Sequence, residues 1–145
     1  MKKCALCVVL ALVGASLLAD NARYVNLFMG TAGDHGQVTP AAQVPLGMVS
    51  VCPDSDPHWH GGYDYDVPVI SGISVNRMSG VGGDGGGGNI SVRPSLPGVK
   101  LEIVKGSETT SPGYYAAMLD NGVGVRLTAT SNVAVETYAF PSAAA

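Results

Sequence analysis

From Asn89 to Phe140 the chain alternates apolar and polar residues with a period of two, in short runs separated by turn residues. The runs are Asn89–Arg93, Val99–Val104, Tyr114–Leu119, Val123–Thr130 and Val133–Phe140. A period of two sends successive side chains to opposite faces of a strand, so each run has one face to bury and one to show to water. Val44–Val51 and Val67–Val75 also have strand composition, and Pro45 places the first at an edge or just after a bend. Leu119-Asp120-Asn121-Gly122-Val123 predicts a hairpin, since Asn-Gly suits a turn with two positive φ values. No segment after the N-terminal apolar run carries a helical period. Many short strands with regular turns specify an all-β chain, an antiparallel β-sandwich.

At 145 residues the chain is long enough for one domain with a real core. Met1-Lys2-Lys3 followed by the apolar run Cys4–Ala19 reads as a secretory signal peptide, with Ala19 before the cut. The alternative is a single membrane anchor, for which the run is short beside the roughly 20 residues a spanning helix needs. We therefore divide the chain into a signal at 1–19 and a sandwich domain at 20–145, secreted or periplasmic and outside the membrane after cleavage. The mature part keeps six of eight basic and all eleven acidic residues, a formal charge of −5. No basic patch remains for nucleic acid or anionic lipid. Only Cys52 remains, which rules out an internal disulfide and suits a small buried residue at a strand end. Phe140-Pro141-Ser142 and three alanines are no designed strand edge, so we expect a truncated sandwich with an uncovered strand near Val133–Phe140 and poor solubility.

The chemistry is concentrated between Gly30 and Gly88, which hold all three His, the only Trp and six of the eight Asp. Asp20–Phe28 before it reads as an entry strand or extended arm, and 30–40 as a loop. Cys52–Asp66 is too polar and too rich in Pro and Gly for a core, and reads as a long surface loop. Trp59, Tyr63 and Tyr65 weigh against disorder there. Glycoside hydrolysis needs two carboxylates, but acids in Pro/Gly loops are commonly turn formers, the reading given to Asp54, Asp56 and Asp66. Asp34 and Asp84 sit between glycines, where both side chain and backbone amides can reach a ligand. His35, His58 and His60 are the donors for a zinc site, but without helical spacing or cysteine partners, and no twelve-residue calcium loop is present. Gly85–Gly88 leads into a strand without Gly-Lys-Ser/Thr, so the phosphate cradle fails. Trp59, Tyr63 and Tyr65 beside Asp and His form the composition of a sugar site, or Trp59 plugs the core.

Gly30-Thr31, His35-Gly36, Pro40, Val44-Pro45-Leu46-Gly47-Met48 and Pro53-Asp54 occur in an order that resembles the start of family-92 glycoside hydrolases. Gly62-Tyr63-Asp64-Tyr65, Ile70-Ser71-Gly72-Ile73-Ser74, Ser79-Gly80-Val81-Gly82 and Pro112-Gly113-Tyr114-Tyr115 continue the series. Leu127-Thr128-Ala129-Thr130 and Tyr138-Ala139-Phe140-Pro141 close it. The resemblance implies an exported, calcium-dependent, inverting exo-α-mannosidase. Its N-terminal part would be a sandwich of the galactose-mutarotase-like type and its C-terminal part a helical barrel that carries the acid and the base. This chain resembles the sandwich part alone, so no catalytic residue is expected here, and calcium is implied for the whole enzyme and not for this part. The implied partners are a mannose-containing glycan and the C-terminal catalytic domain.

Val75-Asn76-Arg77 stands where the family often has His-x-His, and Gln37-Val38 where many have His-Thr. Only Asp84 and Asn89 remain of an Asp-x-Gly-Asp pattern. The candidate substrate contacts are His35, Trp59, Tyr63, Arg77 and Asp84, with Asp34 added from its place between glycines. The other readings are a stand-alone carbohydrate-binding module and a structural sandwich of an exported protein.

Overall fold

The computed structural model describes residues 21–33, 37–57, 60–76 and 88–142. Residues 1–20, on which the signal-peptide reading falls, lie outside them. The described chain forms one short 3-10 helix, Asn21–Tyr24, and two four-stranded antiparallel sheets. Sheet one runs in the order β1 (Ala42–Gln43), β2 (Ser50–Ser55), β3 (Ile70–Val75), β4 (Ile90–Val92). Sheet two runs β5 (Thr109–Ser111), β6 (Tyr114–Met118), β7 (Gly124–Ala129), β8 (Ala134–Ala139). Every neighbour in each sheet is a neighbour in sequence. The all-β, antiparallel two-sheet architecture is the one the alternation specifies.

Sheet two shows why the alternation is legible. Along β7, Val125, Leu127 and Ala129 are buried while Arg126 and Thr128 are exposed. Val125 and Leu127 share a single core cluster with Val51 and Ile73 of sheet one and with Tyr63 of the β2–β3 connection. Leu101 and Ile103 close that core between the sheets. The segment around them is not the strand expected at Val99–Val104. It makes two isolated bridges, Val69 to Glu102 and Ile103 to Leu119, and so ties the start of β3 to the end of β6. Its backbone bonds serve both sheets, from Ile103 N to Pro68 O at 2.8 Å and from Val104 N to Met118 O at 2.9 Å.

Sheet one departs from expectation in three places. Asp20–Phe28 is not an entry strand, because the chain turns into the 3-10 helix at Asn21. The strand expected over Val44–Val51 begins later: Gly47 N bonds Val44 O at 3.0 Å, closing a turn in which Leu46 has a positive φ of 59°. The surface loop expected over Cys52–Asp66 is only partly one: it begins after β2, and Asp56, Pro57, Tyr65 and Asp66 are its exposed described residues. Cys52, Pro53, Asp54 and Ser55 are buried in β2, and Gly61 to Asp64 are buried as well. A proline inside a strand removes a ladder donor. It is tolerated here because β1 pairs only with Ser50 and Val51, so Pro53 lies beyond the end of its neighbour on that side.

The hairpin at Leu119–Val123 forms, with one difference in its turn. Gly122 N bonds Leu119 O at 2.9 Å and Leu119 N bonds Val123 O at 2.9 Å, but within this turn only Gly122 takes a positive φ, 82°. The turn is a type I turn with glycine in the bulge position, and not the two-residue form with two positive φ values.

Candidate functional site

Of the six candidate contacts, only Tyr63 lies among the described residues; Asp34, His35, Trp59, Arg77 and Asp84 lie outside them. What the structure does describe is how the three candidate loops are rooted. The first closes on itself, with Gln37 N and Val38 N both donating to Gly30 O at 3.1 and 3.2 Å. It is tied to the second by Tyr65 N donating to Thr31 O at 2.9 Å, and by Phe28 set edge-on to Tyr65 with ring centroids 5.1 Å apart.

The second loop joins β2 to β3 and is fastened at its base by Ser55. Ser55 N donates to Gly62 O at 2.9 Å, while Ser55 Oγ accepts from Asp64 N at 2.9 Å and donates to Asp64 O at 3.2 Å. Asp64 in turn accepts Asp66 N through Oδ1 at 2.9 Å, the local turn chemistry of an acid in a loop. His60 stands near the tip at a positive φ of 41°, and its Nδ1 is buried with no hydrogen-bond partner among the described residues.

The third, glycine-rich loop leaves from the far end of β3. In a meander the β2–β3 connection departs at the Ser55/Ile70 end and the β3–β4 connection at the Val75/Ile90 end. Their roots are thus at opposite ends of β3. A side-chain relay brings the return of the glycine-rich loop back toward β2: Gly88 N donates to Ser74 Oγ at 2.8 Å, and Ser74 Oγ donates to Asp54 Oδ1 at 2.8 Å. Asp54 is therefore not a loop turn former. It is 3% exposed in β2, and its carboxylate takes part in anchoring this crossing.

Tyr63 faces the core. Its side chain is fully buried, and its hydroxyl donates to Glu108 Oε1 at 2.5 Å. Tyr115 on β6 donates to the same oxygen at 2.7 Å. Lys105 Nζ pairs with Glu108 Oε2 at 3.1 Å and stands 5.5 Å from the Tyr63 ring centroid and 4.7 Å from that of Tyr65. Burial pushes both phenols well above their ordinary range, and the Glu108 carboxylate, which welcomes a proton beside it, pushes further. Sequence reasoning passed over Glu108 and Lys105, because a charged pair around Gly106 reads as a solvated turn. Chemically, the described arrangement is a buried carboxylate that gathers two phenols and an ammonium.

Among the described residues no group of three or more His, Cys, Asp or Glu could hold a metal ion. A cleft of about 630 Å³ is lined by Arg93, Leu96, Val99, Asn121, Phe140 and Pro141, and Tyr63 is not among its described lining residues. No described helix is long and apolar enough to cross a membrane.

Fold and loops together define a β-sandwich domain that carries its aromatic and polar residues on inter-strand connections. Residues 24–145 match the N-terminal domain of glycosyl hydrolase family 92, and the chain belongs to that family. It is 29% identical over 143 residues to an uncharacterized secreted glycosidase of Arthroderma benhamiae, covering 89% of this chain and 18% of that protein. Among solved structures, the family-92 glycosyl hydrolase ccman5 is 31% identical with a TM-score of 0.73, over 83% of this chain and 19% of its own. A family-92 α-mannosidase of Bacteroides thetaiotaomicron, also solved with mannoimidazole, is 30% identical with a TM-score of 0.69, over 83% and 18% of the two chains. An inverting mannosidase of the same organism is 26% identical with a TM-score of 0.60, over 82% and 18%. The chain thus spans less than a fifth of the length of these relatives.

Proposed function

We propose that this chain is the sandwich part of a secreted glycosidase related to the α-mannosidases, and that its loops contribute to binding a mannose-containing glycan beside a catalytic domain. The observation that carries this reading is the likeness, over 83% of the chain, to an α-mannosidase that has been solved with a mannose-like inhibitor. The loop composition supports it. Trp59 supplies an apolar face for a pyranose, and Asp34, His35, Arg77 and Asp84 supply groups for its hydroxyls. Tyr63 has a supporting part, since its ring is buried and its hydroxyl is held by Glu108. Calcium is assigned to the whole enzyme, on the family resemblance, and not to this part. Binding, and not hydrolysis, is the activity assigned to this part alone.

Titration calorimetry with mannoimidazole tests the reading. We expect saturable binding to the chain, weakened about tenfold in Trp59→Ala, the equivalent of about 1.4 kcal/mol. No binding to the unaltered chain, or equal binding to both, would overturn it.

A further inference from the structure

The buried carboxylate of Glu108 and the cation beside it have no part in the reading above, yet both reach the loop on which that reading depends. Glu108 lies in the turn before β5, and its side chain is 2% exposed. Such a carboxylate is tolerated only when paired and hydrogen-bonded. It holds Tyr115 of sheet two and Tyr63 of the β2–β3 connection on one oxygen, and Lys105 on the other. The cluster therefore joins sheet two to the β2–β3 connection. Lys105 is not needed to satisfy either phenol, but it is the cation paired with the buried Glu108 carboxylate, so its charge also has a share in stability. What Lys105 adds is direction: its ammonium lies against the rings of both Tyr63 and Tyr65, two residues that flank Asp64 on the returning limb of the loop.

We propose that Lys105, held by Glu108, is a positioning residue for the Asp56–Tyr65 connection: it sets the stance of the limb that bears Tyr63 and Tyr65, and through it the loop's reach toward a saccharide. The ligand half of this statement rests on the proposed function; the positioning half does not. The limb is already fastened at its backbone by Ser55 and Thr31, so a modest lateral force on two rings is enough to select one stance.

Trp59 is the chain's only tryptophan and sits within this connection, so its fluorescence reports on the loop without any ligand. The test compares Lys105→Met, which keeps the alkyl stem and removes the charge, with Lys105→Arg, which restores a cation. Tyr115→Phe serves as the control that disturbs Glu108 from the sheet-two side. We expect Lys105→Met to raise acrylamide quenching of Trp59 about twofold. It should also weaken mannoimidazole binding about threefold, the size of one exposed cation–π contact. Lys105→Met also unpairs the buried Glu108 carboxylate and should lower the urea midpoint, so both readouts are taken without urea, where each variant is folded, and Lys105→Arg should return both to the original. Unchanged quenching in Lys105→Met, or an equal rise in Tyr115→Phe, overturns the proposal. If the unaltered chain binds no mannoimidazole while the quenching contrast holds, the proposed function falls and the positioning role stands.

Discussion

Tyr63 of the β2–β3 connection and Tyr115 of β6 donate their hydroxyls to the same carboxylate oxygen, Oε1 of Glu108, at 2.5 and 2.7 Å. Both rings are fully buried. Removing water from a phenolate is costly, and placing it beside a carboxylate costs more, so both phenols keep their protons far above their ordinary range.

Alkaline pH should therefore unfold this domain. The unfolded chain releases these two protons near the ordinary tyrosine value of 10.0, whereas the folded chain retains them. Above that pH the folded state binds more protons, so stability is full below it and falls as pH rises. Each phenol contributes a slope of about 1.4 kcal/mol per pH unit once its unfolded counterpart is ionised. Urea unfolding followed between about pH 8 and pH 11 checks this. Tyr115→Phe should remove half of the slope that the pair contributes, and a flat profile would contradict the account.

The return of the glycine-rich segment depends on Gly88 in a different way. A Cβ built there would stand 2.0 Å from Val75 O and 2.7 Å from Ser74 Oγ, and backbone cannot yield to it. Gly88→Ala should force the crossing away from β3 and break the Gly88–Ser74–Asp54 relay, at about 1–3 kcal/mol for the overpacking. Ser74→Ala removes the middle of the relay without a clash. It should cost about 1–3 kcal/mol, because it takes a hydrogen-bond partner from the buried Asp54 carboxylate. Urea midpoints of the two variants test both, and a Ser74→Ala variant as stable as the original would show the relay to be incidental.

Strands β6 to β8 were legible in the sequence because each has one wet face, so burial writes itself as alternation. Strand β2 was not. Cys52 to Ser55 are buried on both faces, so the strand has no period to detect, and Pro53 and Asp54 imitate a loop. What makes the proline acceptable, the shortness of β1, is a fact of pairing that composition does not encode. The candidate loops were recognisable from their aromatics, acids and glycines. Their support was not: Glu108 meets Tyr63 across a sequence separation of 45 residues, and no local pattern announces such a contact. The same limit explains why Tyr63 read as a ligand contact. An aromatic in a polar stretch looks exposed until its acceptor is known.

The β6–β7 turn offers a smaller test of local geometry. Gly122 has a φ of +82°, which costs glycine nothing and an L side chain about 1 kcal/mol. Gly122→Ala should lower stability by about that amount, with the hairpin retained. Space is not the obstacle, since the nearest atom to a built Cβ is Pro141 Cγ at 3.4 Å. A loss well above 2 kcal/mol would mean that the turn, and not the residue, had changed.

The last prediction concerns β8. It pairs with β7 along one edge, and its other edge has no partner strand among the described residues. Thr130 N donates to Val133 O at 2.8 Å, which fixes the phase of the ladder. Val135, Thr137 and Ala139 then bond toward β7, while Ala134, Glu136 and Tyr138 turn their backbone groups outward. Val133, Val135 and Phe140 are 55%, 49% and 67% exposed along or beside this strand, which carries neither lysine nor proline of its own. An open edge with apolar side chains is a template for pairing with another chain. The chain should therefore elute from a sizing column at an apparent mass that rises with concentration. Val135→Lys places a charge on the exposed face and leaves the β7 bonds intact, so it should shift the association to about tenfold higher concentration. If the unaltered chain stays monomeric across a hundredfold range of loading, the edge is protected, and Glu136, which receives the Tyr138 hydroxyl on the half-buried face of β8, becomes the residue to examine.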